Sequence, residues 1–335
     1  MTALTIPKTV HPNAHANAGI AKFATPSGTG SSRARRKARP PPTPARRIGA
    51  FPRVTMLAVW LTLAGGSAPA RAGDRLLATW GVSSVEGSGG GGLSPWALIT
   101  GSGSRNQVAA TAFVTSWRSQ GRFSLRAAGA AVGIHDTLEL SGASWRFGLG
   151  DTVPGASIRM DTLGAKWRFW GDAVQDQDRW WPQFALGLQA KQNHDMSVGT
   201  ALGARRADDV EIYLSATRLW LAGVAGRNGL LNLTWRYTRA NQFGLLGFGG
   251  DRSDARRLKP EASGAVLLRD DLAVGAEWRD KPDNLSSFRE QAATDLFIAW
   301  FPSRHLSTTL AWLNLGRIVD KPGQSGVYLS VQAAY

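Results

Sequence analysis

After residue 72 the chain is organised by a period of two. Leu163, Ala165, Trp167 and Phe169 alternate with Thr162, Gly164, Lys166 and Arg168. Phe184, Leu186, Leu188 and Ala190 alternate with Ala185, Gly187, Gln189 and Lys191. Leu231, Leu233, Trp235 and Tyr237 alternate with Asn232, Thr234, Arg236 and Thr238; Leu272, Val274, Ala276 and Trp278 alternate with Ala273, Gly275, Glu277 and Arg279. The last segment sets Val327, Leu329, Val331, Ala333 and Tyr335 against Tyr328, Ser330, Gln332 and Ala334. Such alternation puts one row of side chains on each face of a strand. Fourteen segments qualify, near 74–84, 94–103, 107–118, 121–133, 137–148, 157–170, 181–192, 209–221, 229–240, 257–268, 271–281, 292–301, 305–315 and 325–335.

These segments run longer than the roughly five or six residues usual in soluble sheets and approach the roughly nine to eleven of a tilted membrane-crossing strand. Aromatic residues lie near the ends of the apolar rows: Trp167, Trp235, Trp278, Trp300, Trp312 and Tyr335. Indole and phenol rings favour the headgroup level, so these residues predict a membrane girdle. The predicted architecture is all-β: a closed antiparallel transmembrane β-barrel of about fourteen strands, with Tyr335 pairing back near Leu76. Twelve strands is the competitor, with the glycine-rich stretch 73–93 tucked inside. Short connections alternate with long ones as an outer-membrane barrel requires, except at 119–120, short where an outer loop belongs, and at 171–180, long where a periplasmic turn belongs.

Composition sharpens this picture at the front of the chain. The 335 residues hold 39 Lys+Arg and 24 Asp+Glu, for a net charge of +15, with no Cys and 14 Trp. Eleven of the basic residues and none of the acidic ones fall in 1–72, so the remainder is nearly neutral at +4. A nucleic-acid-binding body is therefore not expected. Residues 54–64 are apolar, Arg46, Arg47 and Arg53 precede them, and Ala70-Arg71-Ala72 follows. This predicts a signal peptide over 54–72, cleaved after Ala72. Residues 1–53 read as a disordered basic extension or a misassigned start, and 73–335 as the barrel. Zero Cys excludes disulfides, thiolate metal sites and cysteine nucleophiles.

Polar positions on the alternating strands predict the lumen. Arg126, Lys166, Arg168, Lys191, Arg236 and Arg279 face Glu139, Glu211, Glu261, Glu277 and Asp295 in this reading. Crossed charges fit a selective pore, and they fit equally a plugged barrel whose charges neutralise one another. The stretch 241–251 is apolar and glycine-punctuated where a long outer loop belongs. Its Phe243, Leu245, Leu246 and Phe248 are expected to bend over or into the lumen near Arg236 or Arg279, because apolar side chains gain little by standing in water. Asp172, Asp176 and Asp178 lack the rest of a calcium loop and read as a solvated turn. His194-Asp195 with Asp208-Asp209 is the one plausible acid–base cluster, and no serine sits in a nucleophile motif.

The segments 96–99, 172–191, 240–251 (ANQFGLLGFGGD) and 276–285 (AEWRDKPDNL), together with the opening 85–93 and the ending 327–335, resemble a proteobacterial family of predicted outer-membrane proteins catalogued as domain of unknown function 3034. The resemblance covers essentially all of 73–335 and implies an outer-membrane β-barrel without implying a reaction. The functional expectation is a non-enzymatic outer-membrane barrel, a passive channel for small solutes. The alternative is a structural or envelope-polymer-export barrel with a plugged lumen, and a rim-located hydrolase comes third. Expected partners are outer-membrane lipid, the barrel-assembly machinery during biogenesis and small solutes, with no nucleic acid. No cofactor and no metal are expected.

Overall fold

The structure, a computed structural model, describes residues 77–335. The basic extension, the signal peptide with its cleavage point, and Leu76 lie outside the described residues. Among the described residues, twelve strands form one closed barrel in chain order. They are β3 (Val108–Ser119), β4 (Ser124–Ile134), β5 (Leu138–Gly148), β6 (Ser157–Trp170), β7 (Gln183–Asn193), β8 (Asp208–Val224), β9 (Arg227–Thr238), β10 (Arg257–Arg269), β11 (Leu272–Arg279), β12 (Ala293–Ser303), β13 (Leu306–Asn314) and β14 (Ser325–Ala334). Each pairs antiparallel with its sequence neighbour, and β14 returns to β3, where the Ala110 and Tyr335 amides each donate to the other's carbonyl at 2.8 Å. Closure leaves no strand edge to satisfy in lipid.

Fourteen strands is thus corrected to twelve, the competing count, and the closing partner of Tyr335 is Ala110. The first two candidate strands do not join the wall. Residues 83–102 are all buried and thread the barrel interior, with only the two-residue pair β1 (Val82–Ser83) and β2 (Gly89–Gly90) as regular structure. Glycines explain why this segment is no wall strand. Gly87 has φ +93°, and a Cβ on Gly91 would lie 2.0 Å from Glu277 Oε1, so the backbone passes where a side chain cannot.

The connections alternate between the two ends of the barrel. Turns 135–137, 225–226, 270–271 and 304–305 share one end with 171–182, and the opposite end carries 120–123, 149–156, 194–207, 239–256, 280–292 and 315–324. Both irregular connections therefore sit at the ends the alternation assigned to them. Short turns mark the periplasmic end. The loop 194–207 contains the short helix α1 (Ser197–Ala201).

The pleat separates the two faces. Trp167 is 51% exposed and Leu296 68%, while neighbouring Lys166 is 2% exposed. Exposed Val, Leu, Ile and Trp side chains cover the outer wall of every strand pair from β7 to β14. In water each would forgo roughly 1.5–3 kcal/mol of burial, so a wall of this kind is built for lipid. Trp167, Trp300 and Tyr335 ring the periplasmic end and Trp235, Trp278 and Trp312 the outer end. A closed barrel with this exterior is an outer-membrane β-barrel.

Candidate functional site

The lumen segment 77–107 enters from the periplasmic end, where Trp80 packs edge-on against Phe301 with ring centroids 6.4 Å apart. Glu86 sits on a tight turn whose Gly87 amide donates to the Ser84 carbonyl at 2.9 Å. That turn aims Glu86 at three cations from separate strands: Lys191 at 2.5 Å, Arg279 at 3.0 Å and Arg236 at 3.4 Å. Two wall carboxylates complete the cluster. Glu211 takes Lys191 at 2.7 Å and Arg236 at 3.0 Å, and Glu261 takes Arg236 at 2.5 Å and Arg279 at 3.2 Å. Three cations thus face three carboxylates, and all six side chains are 3% exposed or less. Three cations within 3.4 Å offset the cost of burying the Glu86 carboxylate away from water.

Further polar wall residues grip the segment's backbone. Glu139 accepts the amides of Gly89 at 3.0 Å and Thr100 at 2.9 Å, and Lys166, 3.0 Å from Glu139, donates to the Gly89 and Trp96 carbonyls. Glu277 accepts the Leu93 amide at 2.8 Å, and Arg279 donates to the Leu93 carbonyl at 2.9 Å. Gln183 donates to the Ala97 carbonyl at 2.6 Å and Thr217 accepts the Ala97 amide at 2.8 Å. A strand supplies such contacts along a ladder; here lumen side chains replace the ladder, which keeps irregular backbone satisfied at membrane depth. A cavity between the segment and β8–β14 measures about 30 Å³, room for one or two waters.

The outer end is covered by 240–250, which are all buried. Phe243, Leu245, Leu246 and Phe248 point into the molecule, each 4% exposed or less. The Phe243 ring lies 4.5 Å from the Arg279 guanidinium and 5.4 Å from Lys281 Nζ. Gln242 and Phe243 adopt φ of 46° and 63°, a left-handed pair that needs outside support. The next long loop supplies it. Glu290 accepts the Gln242 amide at 3.1 Å, Lys281 donates to Gln242 Oε1 at 3.0 Å, and Asn284 donates to Asn241 Oδ1 at 3.1 Å. A Cβ on Gly250 would sit 2.3 Å from the Asn284 carbonyl. The two sequence signatures ANQFGLLGFGGD and KPDNL are therefore halves of one lid. Burial lowers the Lys281 ammonium and raises the Glu290 carboxyl, although the two lie 3.2 Å apart.

Most of the expected lumen residues face inward: Glu139, Lys166, Lys191, Glu211, Arg236, Glu261, Glu277, Arg279 and Asp295 are buried. Arg168 is half-buried near the periplasmic end, 3.1 Å from Asp136 and 3.4 Å from Asp172. Arg126 is the correction. It is exposed on the outer wall, because β4 turns Leu125 and Ala127 inward. Around it the usual polarity of the wall is inverted. Trp117, Phe123, Leu125, Trp145 and Phe147 pack inside, with Phe123 and Phe147 stacked at 5.9 Å, while Arg118, Arg126, Arg146 and Arg159 stand outside.

Asp172 Oδ1 accepts the Val174 and Gln175 amides as a turn cap, and no cluster suited to a metal occurs among the described residues. The candidate acid–base cluster is dispersed. His194 Nε2 meets Asp161 at 2.8 Å, Asp195 pairs with Arg159, and Asp209 pairs with Arg239 at 2.8 Å. Ser144 donates to the same Asp161 at 2.6 Å, so the carboxylate, not the imidazole, stands beside the hydroxyl. A base placed to activate the serine would need the reverse order. Glu86 is the residue the alternation missed, since it belongs to no wall strand. Its signal is compositional: it is the one acidic residue between Asp74 and Asp136, set in VEGSGGGG.

No curated protein matches the sequence. Among solved structures, the chain is similar to the Acinetobacter baumannii outer membrane protein Omp33, at 4% identity and TM-score 0.38 over 69% of this chain and 97% of that one. It is also similar to the COG4313 outer membrane channel of Pseudomonas putida F1, at 11% identity and TM-score 0.37 over 68% and 94% of the respective chains. Likeness this distant says nothing about what passes through or binds to this barrel. The family match is of a different kind, because it runs over residues 79–332 and so takes in the lumen segment, the lid and eleven whole strands with most of β14. The chain belongs to the family described as "Protein of unknown function (DUF3034)".

Proposed function

We propose that the protein is a non-enzymatic outer-membrane barrel sealed by its own N-terminal lumen segment, in which any passage of solute requires that segment to move. The observation that carries this reading is the uninterrupted burial of residues 83–102 inside the wall. A passive small-solute channel needs a continuous aqueous path, and a 30 Å³ cavity falls far short of one. The balanced Glu86 cluster supports the same reading, because a self-neutralised buried network holds a part in place and offers no net field to an ion.

Planar-bilayer recording tests the proposal. The unmodified protein should give no stable conductance at low voltage, and the double variant Glu86→Gln/Glu139→Gln, which loosens both grips on the segment, should give discrete openings. Stable ohmic steps of equal size from both proteins would replace the sealed barrel with the passive channel.

A further inference from the structure

The outer wall carries one strongly charged patch that the lumen does not explain. Cross-strand register places Ser116, Arg126, Arg146 and Arg159 in a single row over β3, β4, β5 and β6. The next row toward the outer end holds Arg118, Ser124 and Ser157. All four arginines are exposed. Directly opposed side chains on neighbouring strands approach to about 5 Å, and like charges so placed repel. Protein carboxylates only partly relieve this. Arg159 holds Asp195 in a two-pronged pair at 3.0 and 3.1 Å, and Asp161 is taken by His194 and Ser144. Arg146 reaches only the Ser157 hydroxyl, at 3.2 Å, and Arg118 and Arg126 have no carboxylate in ion-pair range among the described residues. Together with Ser116, Ser124 and Ser157, Arg118, Arg126 and Arg146 line a shallow groove of about 250 Å³.

The height of the row identifies its environment. Leu138 and Trp167 pair at the periplasmic end of β5 and β6, and Arg146 and Arg159 lie eight residues further along the same strands. At about 3.3 Å per residue and a tilt near 40°, the arginines stand about 20 Å above the periplasmic girdle, at the upper margin of an apolar band about 25 Å tall. Val114, Val132, Leu140 and Leu163 fill the wall below them. On the far side of the barrel the outer margin is aromatic, with Trp235, Trp278 and Trp312. A cationic sector on a lipid-facing wall, at the depth where outer-leaflet headgroups begin, faces lipid and not a soluble partner.

We propose that Arg118, Arg126 and Arg146, with the serines between them, bind a phosphate group on the headgroup of an outer-leaflet lipid. The chemistry matches at each point. Guanidinium forks donate to phosphate oxygens in pairs, hydroxyls add donors, and the dianionic group removes the repulsion built into the row. The acyl chains of such a lipid would run down over Val114 and Leu140.

The test uses the folded barrel in detergent, mixed with phosphorylated lipid A, with the same lipid stripped of phosphate, or with inorganic phosphate alone, and reads bound lipid by native mass spectrometry. The unmodified protein should retain phosphorylated lipid A and not the stripped form. Arg126→Ala/Arg146→Ala should cut retention about tenfold or more, since a charge-assisted pair is worth at least that in affinity. Arg257→Ala, an exposed arginine on β10, should leave it unchanged. Inorganic phosphate should not displace the lipid at matched concentration. Equal retention of the stripped lipid, equal loss in Arg257→Ala, or an unaffected double variant would each overturn the proposal. Displacement by inorganic phosphate alone would overturn its assignment to lipid. Comparison of the two lipids on unmodified protein decides the matter even if a variant fails to fold.

Discussion

The lumen and the outer wall of β3–β6 both concentrate basic residues, and they treat charge in opposite ways. In the lumen, Lys191, Arg236 and Arg279 meet Glu86, Glu211 and Glu261 within 3.4 Å, three cations against three carboxylates. On the wall, Arg118, Arg126 and Arg146 share a face with no carboxylate assigned to them. Burial accounts for the difference. A buried unpaired charge costs several kcal/mol, and each of these three lumen cations is matched by a carboxylate. An exposed charge at a headgroup interface costs little and remains available to an external anion. Balanced charge here holds a segment in place; unbalanced charge faces what lies outside the protein.

The strongest way to break the contrast is to unbalance the lumen. Glu86→Gln leaves three cations against two carboxylates and should destabilise the barrel by about 3–5 kcal/mol, read as a lower unfolding midpoint in detergent. Arg126→Ala removes the same magnitude of charge from the wall. It should change lipid-free stability by no more than a few tenths of a kcal/mol, on the stabilising side, since it relieves repulsion from Arg146. Equal effects from the two would erase the distinction.

A smaller effect sharpens the assignment of faces. Ala276→Arg places a cation on the lipid side near mid-height of β11 and should cost about 2–4 kcal/mol in bilayers. Gly275→Ala, one residue away, should act by collision, because a Cβ there meets Phe297 at 2.5 Å and the Gly264 carbonyl at 2.3 Å. The first penalty should shrink in a zwitterionic micelle and the second should not, as refolding titrations would show.

Much of this was legible in the alternation. β6, β7, β9, β11 and β14 announce themselves because one face is uniformly apolar and the other carries Lys166, Lys191, Arg236, Glu277 or Gln332. The two places where reading failed share a cause. Residues 74–84 and 94–103 alternate weakly among glycine, serine and aliphatics, and a filled barrel accepts such a segment inside as readily as in its wall. β4 reads SLRAAGAAVGI, with small residues on both faces, and Arg126 lies outward because the lumen beside it is occupied by aromatics. The rule that charge points inward holds for an aqueous lumen and lapses where the interior is a packed core. The lid was only half legible, because its apolar loop was plain but its dependence on Lys281, Asn284 and Glu290 is a tertiary matter.

Because the chain has no cysteine, a single introduced thiol reports one position without background. Ser94 lies inside the barrel at 0% exposure, its backbone carbonyl accepting the Gly91 amide at 3.0 Å. In Ser94→Cys, reconstituted in lipid, a small membrane-impermeant thiol reagent should react orders of magnitude more slowly than in the same protein after denaturation, and adding Glu86→Gln should speed the reaction. Labelling of folded Ser94→Cys as fast as the denatured chain, with Glu86 intact, would mean that the lumen is open to solutes and that its N-terminal segment does not seal it.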